Sequence, residues 1–181
     1  MPATVENIIG DFKVGDNMSA AATALCHLND NNEDGIFNKL MVVQAGSIVE
    51  AALDQIIYRA QNYVREGIPN IPPDELERIR GTTIERFNNI IQAMRGRHLL
   101  DALGADIYDD LDRLRQLRNR IHIQFDDKPE NVRRDDSDAF ADDTVDWALG
   151  LCIQVLSHLS AVYPRPAGLA VYAHAISIPK P

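Results

Sequence analysis

The chain has 181 residues, 45% of them apolar and 25% charged, and carries a net charge of −9. That length supports one domain with a sizeable core, and the balance is ordinary for a soluble globular protein. The acidity argues against an indiscriminate nucleic-acid binder, which would be basic, and two distant cysteines, Cys26 and Cys152, offer neither a disulfide framework nor a zinc site. The N-terminus lacks the basic region and apolar core of a signal peptide. No apolar run approaches the roughly 18 residues of a membrane span. A cytoplasmic protein with no membrane partner is therefore expected.

In chain order, residues 1–16 read as an N-terminal arm with weak periodicity and room for one short element, 17–163 as a helical bundle and 164–181 as an apolar tail. Asn17 to Leu28 places Met18, Ala21, Ala22, Leu25 and Cys26 at helical spacing. The polar stretch Asn29 to Gly35 is a turn; it lacks the spacing and closing glutamate of a calcium loop. Phe37 to Arg65 is the longest helix signal, with Leu40, Met41, Ile48, Ala52, Leu53, Ile56, Ile57 and Ala60 on one stripe. Glu50 on this helix reads as exposed, or else as a group orienting Arg118 or His122. Gly67 and Pro69 stop the helix.

Asp74 to Arg80 predicts a short helix, and Thr82 to Glu85 has the spacing of a capping box. The next apolar face holds Ile84, Phe87, Ile90, Ile91 and Met94 and ends at Gly96. A brief helix over His98 to Leu103 closes at Gly104. The last helix is expected from about Asp138 to Tyr163, ended by Pro164 and Pro166. Cys152 falls on its apolar face and reads as a buried thiol. The tail carries Leu169, Val171, Tyr172, Ile176 and Ile178, so it should dock on the bundle or on a second subunit as a strand-like arm. The fold class is all-α: an up-and-down bundle of four to five main helices with short accessory helices and terminal arms.

The informative stretch is Asp106 to Phe125, where Ile107, Leu111, Leu114, Leu117 and Ile121 recur in steps of three and four. At about 100° per residue, Arg115, Arg118, Asn119 and His122 share a strip beside that stripe, while Arg113 and Arg120 turn towards solvent. Two planar guanidinium forks suit phosphate oxygens, an imidazole moves protons near neutral pH, and an amide orients either. That set suits phosphodiester chemistry. The blander reading pairs Arg118 with a carboxylate such as Asp112 and lets His122 close the last helical turn. Arg113 to Arg120 holds four arginines and no acid, whereas Asp126 to Asp146 holds nine acids against Lys128, Arg133 and Arg134. An acidic body with one basic strip can still bind RNA locally. Asp135, Asp136, Asp138, Asp142, Asp143 and Asp146 read as a solvated loop and helix N-terminus rather than metal ligands.

Leu117-Arg-Asn-Arg-Ile-His122, on the penultimate long helix of a helical chain, resembles the signature of the HEPN superfamily. The resemblance extends from about Phe37 to Val162. In that family an Arg-Asn pair shortly precedes a histidine, usually with four to six residues between arginine and histidine. Here Arg118 leaves three, and Arg115 leaves six but is not followed by asparagine, so either can be the family's arginine. The resemblance implies a helical, metal-independent endoribonuclease of toxin or defence type that needs no cofactor. It further implies a symmetric homodimer with a composite cleft, RNA as substrate and a cognate antitoxin protein. His122 would then move the proton, Arg118 and Arg115 would stabilise the phosphorane-like transition state, and Asn119 would position them. A non-catalytic HEPN-like module that binds RNA or a protein partner is the alternative.

Overall fold

A computed structural model describes residues 1–10, 13–62, 71–81, 84, 86–120, 135–165, 168 and 173–181. The fold is an all-α helical bundle carrying one small ribbon. In order, its elements are β1 (Ala3–Gly10), α1 (Lys13–Asp30), α2 (Asn38–Asn62), α3 (Pro73–Arg80) and α4 (Phe87–Gly96). Then come α5 (Ile107–Asn119), α6 (Asp136–Ala139), α7 (Asp142–Val162) and β2 (Ala173–Ile178). Single 3₁₀ turns sit at Glu33–Gly35 and Asp101–Leu103.

Helix α2 is the hub. It packs against α1, α3, α4, α5 and α7. Its buried residues run most of the way around, from Met41 and Val42 to Ile56 and Ile57, which is the pattern of a helix enclosed by others. Both α2 and α7 are long and apolar enough to cross a membrane by length and composition. In the bundle they face each other, with Leu149, Cys152, Val155 and Leu156 of α7 at 2% exposure or less. Helix α2 also carries Arg59, 4% exposed, which donates to the Tyr163 and Pro164 carbonyls at 2.9 and 3.0 Å and so closes the C-terminus of α7.

The arm and the tail pair with each other. Strand β1 runs antiparallel to β2, with Ala3 opposite Ile178 and Val5 opposite Ile176; the register shifts between Val5 and Ile9. Val5, Ile176 and Ile178 are buried on the bundle. The tail docks as expected at Ile176 and Ile178, and the N-terminal arm holds an eight-residue strand and, from Lys13, the first turn of α1. Helices meet the ribbon's outward carbonyls: Ser160 Oγ of α7 donates to Glu6 and Cys26 Sγ of α1 to Ser177. Capped edges of this kind discourage further strand addition.

Two helices differ from the sequence reading. The motif helix, expected to reach Phe125, ends at Asn119, where Arg120 turns out with its N–H on the Leu117 carbonyl at 3.0 Å. The last helix divides: α6 is a single turn capped by the Asp135 carboxylate, and Phe140, 4% exposed, fills the break before α7. The proposed box at Thr82 to Glu85 and the tail residues Leu169, Val171 and Tyr172 lie outside the described residues.

Candidate functional site

The site is built where α5 closes on α2. Leu111, Leu114 and Leu117 are fully buried and seat α5, which leaves Arg115, Arg118 and Asn119 along one edge. Gly46 lets the two helices approach: a side-chain carbon there would lie 3.0 Å from Arg118 Cβ and 3.2 Å from its Cγ. Glu50 is one turn further along the same face of α2. The glycine thus admits the stem of Arg118, and the glutamate receives its head, with Arg118 Nη2 to Glu50 Oε2 at 2.5 Å. Arg118 Nη1 also donates to Asn119 Oδ1 at 3.3 Å. The backbone N–H of Phe87, the first residue of α4, also favours the ionised form of Glu50.

These contacts border an open cleft of about 580 Å³ between the start of α4 and the edge of α5. Arg86, Asn88 and Asn89 line it from α4, Arg115, Arg118 and Asn119 from α5, together with Glu50 and Phe87. Three guanidinium groups and three amides therefore converge on one volume. Arg86 is in the left-handed region at φ 68°, an uncommon backbone for a residue with a side chain.

The electrostatics are not those of a simple cationic patch. Burial pushes the Glu50 carboxyl up and the Asp54 carboxylate adds to this; Arg118 and the Phe87 N–H pull it down, and the net direction is upward. Burial likewise raises Asp54, one turn along α2. Asp112 is held below its ordinary value: burial opposes this, but hydrogen bonds from Arg115 and Gln116 outweigh it.

Several expectations change. Asp112 does not pair with Arg118; it accepts Arg115 Nε and Gln116 Nε2, each at 2.8 Å, because these residues lie three and four positions on along the same helix. Glu50 is not an exposed glutamate, with a side chain only 21% accessible. Arg120 does not face solvent. It is 7% exposed, pairs with Asp136 at 2.6 Å and lies over the Phe140 ring at 5.7 Å. Asp136, an exposed acid at the N-terminus of α6 as expected, in turn holds Lys39 at 2.8 Å and so also ties α2 and the end of α5 to α6. Arg113 is exposed but stacks on Trp147 at 4.1 Å. Asp142 accepts from the buried Asn38. His122 lies outside the described residues, so the structure brings together Arg115, Arg118 and Asn119 of the four strip residues.

Sequence reasoning missed Arg86, Asn88 and Asn89. Their signal was an arginine and two adjacent amides at the start of an amphipathic helix, which carries no meaning until α4 is known to flank α5. Among the described residues no group of three or more His, Cys, Asp or Glu side chains is placed to hold a metal ion. Cys152 is fully buried, and burial pushes its thiol up to about 12. Compared with family models, curated proteins and solved structures, the chain matches none of them.

Proposed function

We propose that the chain is a HEPN-like, metal-independent endoribonuclease that seats an RNA phosphodiester in the cleft between α4 and α5. The observation that carries this reading is the convergence of Arg86, Arg115 and Arg118 with Asn88, Asn89 and Asn119 on one open volume. In a protein of net charge −9, such a set gives a local anion site without general affinity for nucleic acid.

In this reading the ribose 2′-oxygen attacks phosphorus, the P–O5′ bond breaks and a 2′,3′-cyclic phosphate forms. His122 takes the 2′-hydroxyl proton or delivers one to the leaving 5′-oxygen. Arg118 stabilises the charge that grows on the non-bridging oxygens, with its fork oriented by Glu50 and Asn119. Arg115, tied back to Asp112, adds positive potential beside it. A cytoplasmic homodimer that joins two motif helices, and an antitoxin that covers them, belong to the same proposal. With Ile176 and Ile178 already buried on the bundle, this proposal gives the motif edge to the second copy.

A second reading is favoured by one feature: Arg115 and Arg118 each already hold a carboxylate. That neutralisation suits a non-catalytic HEPN-like module that binds RNA or a protein partner. Cleavage of single-stranded RNA in EDTA separates the two. A folded His122→Ala protein that has lost cleavage supports the nuclease, and full cleavage by that variant removes the catalytic assignment. RNA binding without cleavage, lost in Arg118→Ala, supports the module. Light scattering that finds a monomer at micromolar concentration removes the composite cleft.

A further inference from the structure

The pairing of Glu50 in the cleft has a meaning beyond orientation. We propose that Glu50 is a resident anion occupying the seat of a phosphate, so that an anionic ligand must displace or neutralise this carboxylate before it can take Arg118. The ligand's identity as RNA rests on the function proposed above; the occupied seat does not.

A carboxylate and the two non-bridging oxygens of a phosphodiester make the same demand on a guanidinium, two acceptors set to a planar fork. Glu50 already fills one arm of that fork, with Arg118 Nη2 at 2.5 Å, and the other arm donates to Asn119 Oδ1. The donors are thus fully formed in the ligand-free protein, and what fills the first arm is a side chain 21% accessible from the cleft. From α5 the groups near this carboxylate are Arg118 and Arg115, from the start of α4 Arg86, and from α2 itself Asp54. A phosphodiester entering against an ionised Glu50 places two anions on one guanidinium, a repulsion of consequence at a few ångströms.

Neutralising Glu50 removes that repulsion. Burial and Asp54 already push the carboxyl upward, so proton uptake accompanies ligand binding. The sign follows: affinity rises as pH falls towards the range in which Glu50 gains its proton, and a variant with a neutral amide at this position has no such gain. Glu50→Gln keeps the shape and can still accept from Arg118, which preserves the local packing.

The test titrates wild type and Glu50→Gln with two probes: a single-stranded 2′-O-methyl RNA oligonucleotide, which lacks the attacking hydroxyl, and inorganic sulfate. NMR follows both. The expected result is affinity about tenfold tighter for Glu50→Gln near pH 7, with the gap closing towards pH 5. Equal or weaker binding of both probes by Glu50→Gln overturns the proposal and leaves Glu50 as an orienting group. Tighter sulfate binding with no RNA binding by either protein upholds the occupied seat and removes the RNA reading. Binding of neither probe by either protein removes both. Calorimetry on the wild type, in buffers of different ionisation enthalpy at pH 7, where the gap between the two proteins is widest and proton uptake on binding is therefore greatest, gives a measurement independent of the variant's folding. Ligand binding without proton uptake there also overturns the proposal.

Discussion

Arg118 and Arg120 stand two residues apart at the end of α5, and each meets a carboxylate from a distant part of the chain. Arg120 is 7% exposed, its charge on Asp136 and its plane over Phe140. Arg118 keeps a side chain 34% exposed and borders an open cleft with two more arginines. An ion pair alone therefore does not separate a structural arginine from a ligand-facing one. What separates them is where the remaining face of the guanidinium points: Arg120 spends it on an aromatic ring, whereas Arg118 is left beside a volume that a ligand can enter.

The sharpest way to break this contrast is to exchange the fork at Arg118. Arg118→Lys keeps the charge but loses the second donor arm. RNA cleavage should fall about 100-fold, the scale of losing one transition-state donor, with the melting temperature nearly unchanged because the site is part-exposed. Single-turnover cleavage and thermal denaturation of the same preparation decide this. A retained rate places Arg118 outside the chemistry.

Arg120→Ala should show the reverse. The pair is buried on one side only, since Asp136 is 49% exposed and keeps Lys39. The cost is therefore below that of a fully buried pair, about 2 kcal/mol, or a melting temperature lower by roughly 4–8 °C. Affinity for the 2′-O-methyl RNA should stay within about twofold below the transition. A variant as stable as the wild type would show that the clamp is ornamental to the fold.

Gly46→Val joins the two regions. A branched side chain cannot fit 3.0 Å from Arg118 Cβ without moving α5, so about 1–3 kcal/mol of stability should go with a loss of RNA affinity. An affinity that survives would mean that the position of Arg118 does not depend on this approach. The smallest effect is expected at Asp54, whose carboxyl burial holds above its usual value. Such a group lowers stability while ionised in the native state. The cost is complete at neutral pH, is relieved as pH falls through the raised native value and vanishes below the unfolded value. Asp54→Asn should therefore raise the melting temperature by about 2 °C near pH 7 and not at all near pH 3. A gain that persists in acid would assign the effect to packing.

The local periods were legible. The stripe from Met41 to Ala60, the faces of α4 and α7, the burial of Cys152 and the leucine seam of α5 all follow from spacing. The docking of Ile176 and Ile178 followed from the cost of exposed apolar surface. What could not be read was long-range pairing. Glu50 and Arg118 are 68 positions apart, so spacing left Glu50 open between an exposed side chain and a group orienting Arg118 or His122, and the fold decides for Arg118. Arg120 and Asp136 are joined only in three dimensions, and their union draws Arg120 out of the helix that periodicity carried onward. Val5, Ile8 and Ile9 do not keep a strand's period of two. The register shift between Val5 and Ile9 breaks that alternation, so a strand read without its partner looks like an arm.

That ribbon also orders the birth of the protein. Ala3 pairs with Ile178, so the first strand made is completed only after the whole bundle between the two has been translated. At about 5–20 residues per second, β1 waits on the order of ten seconds for its partner. During that interval the helices can collapse through contacts nearer in sequence, while Val5 lacks the neighbour that covers it opposite Ile176. Closure of the ribbon is then a late step of high contact order, which makes it a latch set only on a finished bundle and leaves truncated nascent chains marked by an unpaired, apolar strand.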